Sequence, residues 1–158
     1  MSDRVSFICY SRGAPQGSKN HMGGGVLVES SKRVKPFRSD LQFLAMEATP
    51  VDWDLGLEYA LALDFYFKRP KSHLTSKGAL TKSAPLFPTG RNVGDVDKLC
   101  RSCMDALTGI LYYDDSQVID ITAKKRFASR DQVIVTIKPV IPPIKGLNNT
   151  HNSTQPVP

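Results

Sequence analysis

Hydrophobic and polar residues alternate most regularly over residues 57–67. Every second position is apolar, while Glu58, Asp64 and Tyr66 occupy positions between them. A period of two residues predicts a β-strand with one buried face. The apolar positions of this strand are Leu57, Tyr59, Leu61, Leu63, Phe65 and Phe67.

A helical period marks the next strongest pattern, over residues 96–107. Its apolar positions form one stripe of an amphipathic helix. They are Val96, Leu99, Cys100, Cys103, Met104 and Leu107. Asp95 stands where the chain enters this helix, and Gly109 stands where it leaves. We interpret Cys100 and Cys103 as core residues rather than as a zinc or redox pair, because no second pair of ligands completes a site.

Weaker patterns predict the remaining elements. Ser39 is a candidate N-cap for a helix that runs to about Ala48. Further strands are predicted over residues 5–10, 26–28, 118–125 and 132–140. The resulting order of strands, helix, strand, helix, strand and strand predicts an α+β fold, in which helices cover a small mixed or antiparallel sheet.

Composition divides the chain into one domain and a tail. The 158 residues are 41% hydrophobic, which is enough for one core. Residues 1–141 form the predicted domain, whereas residues 142–158 are rich in Pro, Asn, Ser and Thr and are predicted to be disordered. No apolar run approaches the ~18 residues of a membrane span, and the N-terminus lacks a secretory signal. Three cysteines suit a reducing compartment, so we expect a soluble cytoplasmic protein.

Basic residues outnumber acidic ones, 21 against 15, and they cluster. No acid occurs from Phe65 to Gly94, a loop-like segment that contains Lys68, Arg69, Lys71, His73, Lys77, Lys82 and Arg91. A second basic stretch contains Lys32, Arg33, Lys35 and Arg38. Both segments are either solvated loops or mobile basic arms that contact phosphates. The basic balance favours nucleic acid as a partner.

Two pairs of acids flank the strong helix. Asp95 and Asp97 open it, and Asp114 and Asp115 follow it. They are either a helix cap and an ordinary turn, or a carboxylate cluster for Mg²⁺ of the kind that a metal-dependent nuclease needs. Because such a helix is roughly 20 Å long, the pairs meet only if the chain doubles back after it. Arg101 either forms an ion pair with Asp97 or stabilises the charge of a phosphate.

Four short motifs around this helix form a recognisable series. They are D-V-D-K-L-C-R after Gly94, D-A-L-T-G at residues 105–109, D-D-S-Q-V at residues 114–118, and the bases of residues 124–126. This series resembles the RusA family of phage and bacterial Holliday junction resolvases. Weaker similarities lie at residues 13–15 and 69–73, so that the resemblance covers roughly residues 5–140.

The resemblance implies a RusA-like α+β fold and an intertwined homodimer that presents two active sites to a four-way DNA junction. It implies Mg²⁺, which Mn²⁺ can replace, bound by Asp95, Asp97 and Asp115 with Asp114 beside them. The implied activity is the resolution of Holliday junctions by paired symmetric nicks, in DNA recombination and repair. Arg101 stands where the family usually has an essential lysine, and arginine stabilises charge but is a poor proton donor. The residues expected to bind DNA are Lys68, Arg69, Lys71, His73, Lys77, Lys82, Arg91, Lys98, Lys125 and Arg126.

Two other functions fit the same residues. A catalytically inactive protein with this fold would bind branched DNA without cutting it. The second is an RNA-binding basic domain. The absence of an RNP-like aromatic motif from the sequence argues against this hypothesis.

Overall fold

The elements follow the predicted order, in an α+β fold. A computed structural model of the chain describes residues 2–17, 19–21, 27–29 and 32–143. The described elements are β1 (Val5–Cys9), β2 (Lys19–His21), β3 (Leu27–Glu29), α1 (Val34–Ala48), β4 (Tyr59–Lys68), α2 (Val96–Leu107), β5 (Val118–Ala128) and β6 (Gln132–Pro139). Short 3-10 turns lie at Lys71–His73 and Asp115–Gln117. β2 could not be predicted from the sequence, because a strand of three residues is too short to show a period.

Four strands form one mixed sheet in the order β1-β6-β4-β5. β4 pairs in parallel with β5 and antiparallel with β6, which in turn pairs antiparallel with β1. β2 and β3 form a separate antiparallel pair. The mixed sheet of the predicted fold class is therefore confirmed.

β4 carries the buried face that its alternation predicts. Tyr59, Leu61, Leu63, Phe65 and Phe67 are all buried, and the intervening positions are partly exposed. The buried face of β4 belongs to one core together with residues of α1, α2, β1 and β6. Because β4 pairs with both β5 and β6, it fixes where the loops at both of its ends leave the sheet.

The predicted start of α1 at Ser39 is wrong, because the helix begins at Val34 with Arg33 at its N-cap. This start is hard to predict from the sequence because of Pro36. Proline disrupts the interior of a helix, but it is tolerated in the first turn. The second basic stretch is a loop only in part, since Lys35 and Arg38 lie within α1 whereas Lys32 and Arg33 precede it. Arg38 donates to the carboxylate of Asp105 at 2.7 Å and thereby links α1 to α2.

The bounds of α2 are those that its apolar period predicts. Cys103 is buried in the core as predicted, whereas Cys100 is half-buried at the helix surface, and neither forms a disulfide. Burial raises the pKa of both thiols.

The predicted disordered tail falls almost wholly outside the described residues. Residues 142 and 143 are exposed, and residues 144–158 are not described. Within the described part of the chain, no helix is long and apolar enough to cross a membrane.

Candidate active site

The chain doubles back immediately after α2, which is the condition under which the two acid pairs meet. Gly109 adopts a φ of 81°, in the left-handed region that favours glycine. Its N–H donates to the carbonyl oxygen of Tyr112 at 2.7 Å. The hydroxyl of the buried Tyr112 donates in turn to the carbonyl oxygen of Met104, within α2, at 3.0 Å. Asp115 thus returns to the side of the helix that it follows.

Asp97 and Asp115 line the same open cavity, of about 620 Å³. Arg101 lines it too, one helical turn after Asp97. The other walls are Val96, Cys100, Met104, Ile121 and Ala123. The cavity therefore combines two exposed carboxylates and one guanidinium on a largely apolar floor.

The turn that carries Asp115 is held by Gln117, two residues further along the chain. Its amide nitrogen donates to the carbonyl oxygens of Leu55 and Leu57, at 2.8 and 2.7 Å. Its amide oxygen accepts the N–H of Asp114 at 2.9 Å. Gln117 thus fastens the turn to the segment that leads into β4.

Asp114 stabilises its own turn rather than facing the cavity. Its carboxylate accepts the N–H of Ser116 at 2.9 Å, and the turn forms a complete capping box with Gln117. Hydrogen bonds from Ser116 lower the pKa of Asp114. Asp114 is not among the residues that line the cavity of Asp97 and Asp115.

Asp95 lies at the entrance of α2 in an ion pair with Lys98. The Lys98 Nζ atom is 3.0 Å from the Asp95 carboxylate, and this pair lowers the pKa of Asp95 and raises that of Lys98. Lys98, predicted to bind DNA, therefore has an acidic partner in the same helical turn. Asp95 does not line the cavity either.

Two contacts fix the entrance of α2. Gly94 adopts a φ of 90°, and a Cβ at this position would come 2.4 Å from the Pro15 ring, so no larger residue fits. Lys125 of β5 donates to the carbonyl oxygen of Gly94 at 2.9 Å. Lys125, also predicted to bind DNA, thus supports the loop that carries Asp95 and contributes to lowering the pKa of Asp95.

Arg101 is exposed and forms no ion pair with Asp97. Within the part of the chain that the structure describes, the ion pairs join Arg12 to Asp131, Arg38 to Asp105, and Lys98 to Asp95. The guanidinium of Arg101 is therefore available to an anion that enters the cavity.

The donor set of the cavity fits a hard divalent cation in part. Mg²⁺ in proteins is commonly held by one or two carboxylates, with water and substrate phosphate completing the shell. Asp97 and Asp115 supply two such carboxylates. Among residues 2–17 and 32–143, no three Asp, Glu, His or Cys side chains come together as a ready-made metal cluster. Asp95 and Asp114, the other predicted ligands, are engaged in the contacts given above.

Two of the bases that are predicted to bind DNA also hold the long loop in place. Arg69 donates to the carbonyl oxygen of Pro85 at 2.7 Å, and its guanidinium lies 4.0 Å from the ring centroid of Phe127. Arg126 lies 5.3 Å from the ring centroid of Phe87. These contacts join β5 to both halves of the loop between β4 and α2, so the loop is packed against residues 126–127 of β5.

Other bases of the same loop are exposed. Lys71, Lys77, Lys82 and Arg91 form no ion pair or side-chain hydrogen bond with the described part of the chain. Lys68 and His73 line a second, smaller cavity between β4, β5 and the loop. The bases that were predicted as one DNA-binding set are therefore of two kinds. Some contact other residues of the protein, and the others are exposed and free to bind an anion.

Two residues of the site, Gln117 and Arg12, were not predicted from the sequence. Gln117 belongs to the D-D-S-Q-V motif, but its partners Leu55 and Leu57 are remote in sequence and gave no signal. Arg12 lies just after β1 and lines the second cavity, and only its basic character could have indicated it.

The part of the chain that matches known proteins includes both acid pairs and most of the fold. The sequence model of the family described as Endodeoxyribonuclease RusA matches residues 12–138. An uncharacterized protein, YqaN of Bacillus subtilis (strain 168), is 29% identical over 144 residues, which are 87% of this chain and 98% of that protein.

Proposed function

Because the chain belongs to the Endodeoxyribonuclease RusA family, we propose that it is a Mg²⁺-dependent endodeoxyribonuclease that resolves four-way DNA junctions by paired symmetric nicks. Family membership supports an endonuclease of Holliday junctions. We further propose that the protein binds Mg²⁺ through the residues named below, forms a homodimer and acts in the cytoplasm.

The observation that carries this proposal is the cavity shared by Asp97, Asp115 and Arg101. Two carboxylates at a cavity of a basic protein are unfavourable neighbours for DNA phosphates unless a cation lies between them. A bound Mg²⁺ would lower the pKa of a water molecule and neutralise charge that develops on the scissile phosphate. Asp97 and Asp115 are the residues that would hold it, while Asp95, at the entrance of the same helix, is paired with Lys98.

Arg101 has a separate role in the proposed reaction. Its permanently charged guanidinium binds the non-bridging oxygens of the phosphate and stabilises the charge of the transition state. A guanidinium stabilises charge but is a poor proton donor, so protonation of the leaving oxygen falls to water. The exposed bases Lys71, Lys77, Lys82 and Arg91 bind the backbone of the DNA arms.

A homodimer completes the proposal, since paired nicks need two active sites related by two-fold symmetry. β5 is at the edge of the sheet and exposes the apolar side chains of Ile119 and Ile121, 60% and 43% of their surface. Ile121 also lines the acid cavity. An unpaired edge strand with exposed apolar residues is a surface suited to a second copy of this chain.

The deciding experiment compares cleavage of a labelled synthetic four-way junction by the wild-type protein, Asp97→Asn and Glu47→Gln. Glu47 is an exposed carboxylate of α1, outside both the cavity and β5, so it is the matched control. We expect Mg²⁺-dependent cleavage by the wild type and by Glu47→Gln. We expect none by Asp97→Asn, which should bind the junction as tightly or more tightly because a negative charge near phosphate is removed.

Two results would contradict the proposal. Full cleavage by Asp97→Asn would show that the site is elsewhere. Tight binding without cleavage by the wild type in Mg²⁺ or Mn²⁺ would instead favour the inactive branched-DNA-binding protein. Light scattering of the protein in solution tests the dimer separately.

A further inference from the structure

The second cavity, of about 200 Å³, has a basic and partly polar lining. Arg12, Lys68 and His73 contribute basic side chains, and Thr89 and Asn92 contribute polar ones. The other walls are Phe67, Pro70, Pro85, Gly90, Val93 and Phe127. None of the described residues that line the cavity is acidic, so its lining favours an anion over a cation.

Two guanidinium groups cover the phenylalanine rings of this cavity. That of Arg12 lies 5.0 Å from the ring centroid of Phe67, and that of Arg69 lies 4.0 Å from the ring centroid of Phe127. A cation over the face of an aromatic ring is attracted by the electrons of the ring. The rings therefore hold positive charge beside the cavity.

Only part of this positive charge has an acidic partner. The carboxylate of Asp131 lies 3.2 Å from the Arg12 guanidinium and accepts the backbone N–H of Lys68 at 2.8 Å, but Asp131 does not line the cavity. The Nζ atom of Lys68 has no ion pair or hydrogen bond in the part of the chain that the structure describes. Its ammonium group is therefore available to a bound anion.

His73 adds a hydrogen-bonding atom that lacks a partner. Its Nδ1 atom is shielded from solvent and forms no hydrogen bond with the described residues. Buried polar atoms without partners are uncommon and costly. An imidazole N–H donates readily to an anionic oxygen, so a ligand with several such oxygens would supply the missing acceptor.

We propose that the second cavity binds one phosphate group of the DNA backbone, in an arm of the junction close to the cut. This inference rests on the proposed nuclease function. The cavity has several times the ~30 Å³ that one water molecule occupies, which is room for a phosphate group. Lys68 supplies the charge and His73 a second donor. The terminal phosphate of a nicked strand has the same chemistry, and the experiments separate the two sources.

The sheet indicates where this phosphate lies relative to the cut. Ala123 lines the acid cavity and Phe127 the second cavity, four residues apart on β5, or about 13 Å. A B-form strand advances about 3.4 Å per nucleotide along its axis. We therefore expect the bound phosphate about four nucleotides from the cut.

The first test removes the charge of one phosphate at a time. Junctions carry a single methylphosphonate, which is uncharged, at each of six positions on either side of the cut. Asp97→Asn binds them in EDTA, so that no cleavage occurs. We expect the affinity to fall about tenfold at one position, as for the loss of a hydrogen bond between charged groups.

The variant Lys68→Met, added to Asp97→Asn, tests which residue holds that phosphate. The methylphosphonate at the sensitive position should then cause no further loss, because its partner is already missing. Lys77→Met is the matched control, since Lys77 is an exposed base of the same loop and does not line the cavity. It should lower the affinity for both junctions equally and keep the tenfold difference between them.

His73→Phe gives an independent measurement, because it removes the Nδ1 atom and keeps a ring against Phe127. It should reduce the tenfold difference at the same position. Lys68→Met should also lower the slope of log affinity against log salt by about one, equally for all nucleotide sequences. Thermal unfolding of each variant identifies folding defects.

A nicked junction with a 5′-phosphate or a 5′-hydroxyl at the nick distinguishes the two sources of phosphate. We expect equal affinities for the two forms. A preference for the 5′-phosphate, without any sensitive position inside the strands, overturns the backbone site and indicates a site for a terminal phosphate.

Three further results are decisive. A tenfold difference that persists in Lys68→Met, or an affinity loss in that variant that depends on the nucleotide sequence, overturns the proposed site. Coupling between Lys68 and one phosphate in a protein that shows no cleavage supports the site while the nuclease function fails. A protein that binds no junction overturns both.

Discussion

Lys125 donates a hydrogen bond from its Nζ atom to the carbonyl oxygen of Gly94, at 2.9 Å. The bond ties β5 to the entrance of α2, one residue before Asp95. A side chain that was expected to contact DNA therefore also positions the acidic loop. The two roles make different predictions.

We expect Lys125→Met to lower the free energy of unfolding by about 1 kcal/mol, because a charge-assisted hydrogen bond is lost. Cleavage should fall further than junction affinity does, since the helix entrance loosens. Lys138→Met, at an exposed position of β6, is the control. Urea unfolding and cleavage rates are the measurements. Unchanged stability with a reduced salt slope of binding would show that Lys125 contacts only DNA.

Gln117 offers a test of how precisely Asp115 must be held. Gln117→Ala removes three hydrogen bonds, two of them to backbone carbonyls before β4. We expect a loss of about 2 kcal/mol of stability and slower cleavage at unchanged junction affinity. Gln42→Ala, at an exposed position of α1, should change neither. Cleavage at the wild-type rate would mean that Asp115 keeps its place without this support.

Arg101 is expected to act through its charge. Arg101→Gln should lower the cleavage rate about 100-fold, the typical effect of losing one transition-state donor. Junction binding, measured by gel shift without metal, should weaken far less. Arg101→Lys restores the charge and should recover most of the rate. A Gln variant as active as the Lys variant would remove Arg101 from the mechanism.

The exposed bases of the long loop should contribute to binding and not to stability. Neutralising Lys71, Lys77 and Lys82 to Gln together should reduce the slope of log affinity against log salt by up to about three. An equal change of charge at Arg4, Lys35 and Lys138 is the control for net charge. Equal slopes in the two triple variants would mean that the loop makes no local contact with phosphates.

Tyr59 provides a test of the fold at alkaline pH. Its buried hydroxyl donates to the carbonyl oxygen of Asp54, and burial raises its pKa to about 12 from 10.0. A raised pKa in the folded state stabilises the protein below the unfolded pKa, and this contribution is lost as the pH rises through the folded one. We therefore expect the unfolding free energy to fall between pH 10 and about 12.

Tyr59→Phe should reduce that pH dependence, leaving the contribution of the buried Tyr112, whose pKa burial also raises, and the exposed Tyr113→Phe should leave it unchanged. Urea unfolding across this range, with tyrosine ionisation followed by absorbance, measures both. A wild-type protein whose stability shows no slope there would mean that Tyr59 ionises normally.

Local periodicity was sufficient for the main elements of the fold. β4 and α2 were predictable because burial on one face imposes periods of two and about 3.6 residues. α1 began earlier than predicted because Pro36 resembles a helix boundary although the first turn accepts it. β2 was too short to show any period.

The site was predictable in its residue types and not in its assembly. From the length of α2 alone, Asp97 and Asp115 are expected to be far apart. Only the contacts of Gly109 and Tyr112 show that the chain turns back after the helix. Counting charges likewise does not distinguish Arg69, stacked on Phe127, from Lys71, which is free. Both distinctions depend on partners that are distant in sequence.

The sheet order has a consequence for the newly synthesised chain. β6 lies between β1 and β4, yet it follows every other strand in the sequence. While the ribosome still holds β6, the inner edges of β1 and β4 remain unpaired, and the long-range β4–β5 pairing lacks its support. We therefore expect the sheet that supports the cavity of Asp97 and Asp115 to be completed only after residue 139 has emerged from the ribosome.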